Sequence, residues 1–269
     1  MTDIPRFGFR QYAVALFASL LCTIGYAEQD SIPSDVDIGM FHTVYETGWK
    51  DGLGHGIEIQ SSRPSDIALV DDPLAHDHKV VRVHIEKSEN FSGLINGLPR
   101  TEFSLPTNVR LGSGHRYLIR WSTLLPTGFG FDQKQMAIIT QIHQSASSGG
   151  APPFMLTLMG SDYTVSERGG TNTVHGRGAR ICCASTDVGK WIHWTLLYAP
   201  DETGNQAVTR LWKDGVEVFD SHGMPNAYPD DQRAYLKFGV YKPGWQQSAS
   251  DVDQMTLFYG PISVLERKE

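Results

Sequence analysis

The chain has 269 residues, with 23 basic against 30 acidic side chains and a formal net charge of −7. That balance excludes a general nucleic-acid binder, so any polyanion has to be met by positive charge gathered in one groove. Three cysteines are too few for a disulfide framework, which leaves an apolar core to hold the fold.

At the start, Arg6 and Arg10 precede an apolar run from Tyr12 to Ile24, and Gly25-Tyr26-Ala27 follows before Glu28. The run is too short for a comfortable membrane span, and its flanks read as a signal peptide over residues 1–27. The protein is therefore expected to be secreted or periplasmic. Leaving out Arg6, Arg10 and Asp3 takes the basic and acidic counts from 23 and 30 to 21 and 29, a net charge of −8. Residues 28–269 are expected to form one domain, long enough for a large sandwich or barrel.

From there the chain reads as strands. Val80 to Ile85 alternates apolar with polar, as a strand with one wet face does. Similar runs are Tyr117 to Leu125, Met136 to His143, Phe154 to Met159, Trp191 to Tyr198 and Val208 to Trp212. Lys213-Asp214-Gly215-Val216 predicts a hairpin, because Asp-Gly tolerates the positive φ of a tight turn. Tyr235 to Tyr241 and Met255 to Leu265 complete the set, and nothing reads as a long amphipathic helix. Ser145 to Pro153 and Ser161 to Gly178 are rich in turn residues. The second reads either as a mobile loop over a cleft or as a surface insertion. Cys182 and Cys183 are neighbours on a strand-like stretch, where alternation favours two unpaired thiols, one buried and one not, with a vicinal disulfide as the alternative in an oxidising compartment. Many short strands between turn clusters predict an all-β chain, a sandwich of two antiparallel sheets or a jelly roll. Lectins, hydrolases and lyases share that architecture, so function must come from a site.

Three segments carry polar residues at strand spacing. Arg100-Thr101-Glu102-Phe103-Ser104 puts Arg100, Glu102 and Ser104 on one face. Gln141-Ile142-His143 pairs Gln141 with His143, and Tyr235 to Tyr241 aligns Tyr235, Lys237, Gly239 and Tyr241. If these strands adjoin, an Arg, a Gln, a His, a Lys and a Tyr converge on one groove. Such a set suits β-elimination from a uronate polymer. The C5 proton beside the carboxylate is weakly acidic, so the carboxylate must be neutralised, for which Arg100 and Gln141 are the candidates. His143 and Tyr241 are the candidates for the base that takes this proton and the acid that protonates the departing O4. Lys237 would hold the polyanion and lower the Tyr241 pKa, Glu102 would orient Arg100 through an ion pair, and Gly239 would leave room for a sugar ring. Singly, each feature is what an ordinary wet strand face offers.

Together the three blocks resemble the signature segments of jelly-roll polysaccharide lyases, in the glucuronan lyase and heparin lyase I-like group and the family 7 alginate lyases. Gly189-Lys190-Trp191-Ile192-His193-Trp194, followed by Leu211-Trp212-Lys213-Asp214-Gly215, resembles a passage of the heparin lyase I-like group. The resemblance implies a concanavalin A-like β-jelly roll with a concave substrate groove. It implies Arg100 and Gln141 as carboxylate neutralisers, His143 and Tyr241 as the base and acid, and Lys237 in the groove, beside which Glu102 and Tyr235 are candidates for substrate binding. Ser104 and Lys242-Pro243 depart from the family 7 pattern, which favours glucuronan over alginate and makes Lys242 and Trp245 candidates for extending the binding surface.

The implied chemistry requires no cofactor, and no histidines show metal-ligand spacing. His76 and His78 read as solvated turn residues. Asp71-Asp72, Asp230-Asp231 and Asp251 with Asp253 are read as exposed turn carboxylates, with a structural calcium as their alternative. The expected partner is an acidic polysaccharide, without nucleic acid or membrane, and the chain is expected to act as a monomer. Two other readings share the fold. A retaining hydrolase would need two carboxylates about 5–5.5 Å apart, and no segment supplies them. A non-catalytic carbohydrate-binding module would need no His143–Tyr241 partnership.

Overall fold

A computed structural model describes residues 33, 35–145 and 149–268, so the predicted signal peptide lies outside the described residues. Strands are numbered in chain order. An eight-stranded sheet comprises β1 (His42–Thr47), β3 (Ile67–Asp71), β4 (Lys79–Glu86), β6 (His115–Leu124), β11 (Trp191–Ala199), β12 (Val208–Lys213), β13 (Val216–His222) and β15 (Gln254–Lys268). A seven-stranded sheet comprises β2 (Glu58–Gln60), β5 (Arg100–Ser104), β7 (Ala137–His143), β8 (Phe154–Met159), β9 (Asp162–Gly169), β10 (Asn172–Ile181) and β14 (Tyr235–Tyr241). Every pairing is antiparallel, and the described residues contain no α-helix. This is the predicted all-β sandwich of two antiparallel sheets.

Alternation builds the core between them. Val81, Val83 and Ile85 of β4 turn inward while Arg82, His84 and Glu86 are part-exposed. From the other sheet, Phe103 and Phe238 stack at 5.6 Å, with Trp121 against Phe238 at 6.1 Å. Burial of each such ring contributes about 1.5–3 kcal/mol. Trp49, Trp121, Trp194 and Trp245 are core residues. The Asp214-Gly215 turn joins β12 to β13 with both φ angles positive, as the dipeptide predicts.

Two expectations fail here. Residues 161–178 are not a loop but the hairpin of β9 and β10. Its pattern was hidden because the inward positions of β9 include Glu167 and Gly169 beside Tyr163 and Val165. Gly178 permits the close pairing, since a Cβ there would lie 2.6 Å from the Val165 carbonyl oxygen. Cys182 and Cys183 are not free thiols but a vicinal disulfide across a cis peptide. β10 ends at Ile181, so strand alternation does not govern them.

Candidate active site

Strand β14 lies between β5 and β7, which makes the three sequence blocks neighbours. Register then fixes the partners. Lys237 faces Ser104 on one side and Gln141 on the other, Tyr235 faces His143, and Tyr241 faces Arg100. Alternation sends Thr101, Phe103, Ile142, Leu236, Phe238 and Val240 to the core face, leaving the polar set on the outer face.

Glu102 is the hub. Lys237 Nζ donates to its Oε2 at 2.6 Å, Gln141 Nε2 donates to its Oε1, and Arg100 Nη1 stands 3.8 Å from Oε2. The expected Arg100–Glu102 pair exists, yet Lys237 is the closer cation. All four side chains are buried, whereas His143, Tyr235 and Tyr241 are half-buried at the margin. Two cations against one carboxylate leave a net positive charge, and the buried Arg100 Nε and Gln141 Oε1 lack hydrogen-bond partners.

The titrating rings flank this network. Burial pushes the His143 imidazole below its usual value, the hydrogen bond to the Gln144 carbonyl opposes that, and the Lys237 cation reinforces it. That bond, at 2.7 Å from Nδ1, fixes the neutral tautomer with the proton on Nδ1 and the lone pair on Nε2. Tyr235 lies against His143 with ring centroids 5.3 Å apart. Arg100 Cζ sits 4.2 Å from the centre of the Tyr241 ring. Burial raises the Tyr241 pKa and Arg100 pulls against it, so the phenol stays protonated; Lys237 is not what tunes it. Nearby charge from Arg100 acts on both His143 and Tyr241, though no ring contact joins them among the described residues.

Other expectations are corrected. Lys242 is not on the binding surface. Its ammonium is fully buried, 2.6 Å from Asp132 Oδ2, because the chain leaves β14 at Tyr241 and turns inward. Trp245 follows it into the core. Gly239 makes no room for a sugar: its φ is +135°, and a Cβ would lie 2.2 Å from the Thr101 carbonyl oxygen of β5. The residue sits in a bulge of β14 against β7, between Phe238 and Tyr241. Tyr259 of β15, wholly buried, reaches across the core to that bulge, where its hydroxyl accepts from Gly239 N at 3.1 Å. The same hydroxyl lies 2.5 Å from the Ile139 carbonyl oxygen and 3.0 Å from that of Gly239. Sequence gave no sign of this contact, because a core tyrosine looks like any other.

Of the acidic pairs, Asp72 and Asp231 are buried rather than exposed. Asp72 is buried and accepts from the Trp191 indole and Leu74 N, with His78 at 2.9 Å, so His78 is not simply solvated. Asp231 is buried and accepts from Ser145 N and Arg233 N, while Asp251 pairs with Lys134.

The chain is thus a two-sheet antiparallel sandwich with a buried cationic network on one outer face. The polysaccharide lyase family matches residues 43–261, so the chain belongs to that family and is a polysaccharide lyase. An endo-β-1,4-glucuronan lyase from the fungus Trichoderma reesei superposes with TM-score 0.66 at 13% identity, covering 83% of this chain and 95% of that one. The family 7 alginate lyase A1-II′ gives 0.51 at 11% identity, over 73% and 82%. The binding domain of botulinum neurotoxin serotype G gives 0.52 at 10% identity, over 85% and 48%, so the fold by itself does not choose a function. No curated protein sequence matches the chain.

Proposed function

We propose that this polysaccharide lyase is secreted and cleaves a uronate polymer by β-elimination, with β-1,4-glucuronan as the favoured substrate. The observation that carries the reading is the β5–β14–β7 register. It gathers Arg100, Gln141, Lys237, His143 and Tyr241 on one face, where these three strands carry a single carboxylate, Glu102, buried and ion-paired, and Glu58 of the neighbouring β2 is exposed. Retaining hydrolysis needs two facing carboxylates and finds none on these strands.

Arg100, with the second N–H of the Gln141 amide whose first is given to Glu102, opposes the charge that grows on the uronate carboxylate as the C5 proton leaves. His143 Nε2 takes that proton, the C5–H electron pair forms the C4–C5 double bond, and the C4–O4 bond breaks. The Tyr241 hydroxyl gives its proton to the departing O4. All these groups rise from one sheet face and approach the sugar from one side, which suits a syn elimination. Glucuronate and mannuronate carry H5 and O4 on the same side and fit it, whereas guluronate does not. The likeness to a glucuronan lyase over nearly its whole length favours the first. No step needs a cofactor.

Incubation with glucuronan, polymannuronate, polyguluronate, heparin and a neutral β-glucan tests the reading. Ultraviolet absorbance from unsaturated uronate ends is expected to grow fastest with glucuronan. Reducing ends released from the neutral glucan, with no absorbance from any uronate polymer, would sink it.

A further inference from the structure

One side chain in the network belongs to none of the three blocks. Gln60 lies on the short edge strand β2, in register with Glu102. Its Oε1 accepts from Lys237 Nζ at 3.1 Å and from Arg100 Nη1 at 3.3 Å. Two cationic donors on one oxygen settle the orientation of the amide: Oε1 faces inward and Nε2 faces away from the cations. Gln60 is half-buried, while Arg100, Glu102, Gln141 and Lys237 beneath it are no more than 4% exposed. Lys237 is committed to Glu102 and Gln60, and Gln141 donates to Glu102. The surplus positive charge thus lies under Gln60, beside the unpartnered Arg100 Nε.

We infer that Gln60 binds substrate directly and selects for the uronate carboxylate, its Nε2 donating to a carboxylate oxygen above the Arg100–Lys237 charge. The inference rests on the uronate lyase reading. A hydrogen bond to an ionised carboxylate is roughly twice as strong as one between neutral groups, so the hydroxymethyl of a neutral hexose gains less at this position. Lys237 becomes the buried support of a contact residue rather than the contact itself.

Gln60→Glu and Gln60→Ala separate contact from scaffold. Glu keeps an oxygen on Lys237 and Arg100 but replaces the outward donor with an anionic oxygen; Ala removes both. Calorimetric titration uses a glucuronate tetrasaccharide and a neutral β-glucan tetrasaccharide, beside glucuronan kinetics and thermal melts. The expected result is that Gln60→Glu melts at or above wild type yet weakens the glucuronate oligosaccharide about tenfold or more. KM should rise in step with much less change in kcat, and Gln60→Ala should fall between Gln60→Glu and wild type. Binding of the neutral oligosaccharide should not move. A purely structural Gln60 gives the opposite order, with Ala worse than Glu, and that order overturns the assignment while leaving glucuronan cleavage standing. A wild-type protein that neither cleaves a uronate polymer nor binds the tetrasaccharide overturns both readings.

Discussion

Lys237 within β14 and Lys242 just beyond it are both buried ammoniums 2.6 Å from a carboxylate, yet the two pairs are built for different ends. Around Asp132 every lone pair is used. Lys242 and Ser250 reach Oδ2, while the backbone N–H groups of Lys134, Gln135 and Asp251 reach Oδ1. Burial pushes Asp132 up, but these donors outweigh it and hold its carboxyl far below the usual range. Around Glu102 the account stays open, with one cation in excess and unpartnered atoms on Arg100 and Gln141. A saturated buried pair is a staple, and the unsaturated one with surplus charge is where the proposed substrate carboxylate would be met.

The largest expected effect lies at the margin of the open network. Tyr241→Phe and His143→Ala should each lower kcat on the favoured uronate polymer by at least about 10²-fold, the usual scale for a missing proton-transfer group. Their melting temperatures should stay near wild type; full activity in both variants would remove the site. Next comes the staple. Lys242→Met leaves Asp132 buried without its counter-ion, held only by Ser250 and the backbone N–H groups, and should cost about 3 kcal/mol in denaturant unfolding, with kcat per folded molecule kept. Lys237→Met should cost less stability, since Arg100 and Gln141 still face Glu102, and far more activity. If the two lysines give the same pattern, the distinction between staple and ligand site collapses.

A third buried carboxylate gives the smallest effect and the sharpest contrast. Glu167 has the Ser221 hydroxyl as donor but no salt bridge among the described residues, and burial raises its pKa while Ser221 works against the rise. The folded protein therefore favours its protonated form. The associated stability is complete below the ordinary glutamate value, about 4.3, and is lost as pH climbs through the raised folded value. Glu167→Gln should raise stability by about 1 kcal/mol at pH 8 and change little at pH 4, as read from denaturant curves. An equal gain at both pH values would show that ionisation is not its cause.

Much of this was legible in the sequence. Strands β4, β6, β7, β8, β11, β12, β14 and β15 announced themselves by alternation, and the three blocks proved to be neighbouring strands. What escaped notice shares a physical reason: it depended on partners distant in sequence. Gln60 sits on a strand of three residues, too short to show a period, and matters only through Lys237 and Arg100. Lys242 followed the outer-face residues in sequence but entered the core where the strand ended. Glu167 disguised an inward strand face because a charged residue occupied it.

The Tyr259 hydroxyl has a consequence for the groove as a whole. It ties together two bulged strands, β7 and β14, from the opposite sheet and beyond the reach of solvent. The sheet that carries the candidate site is thus held from below. A saccharide bound there, as proposed, would meet a surface already held to its shape, as a keystone fixes an arch before any load arrives.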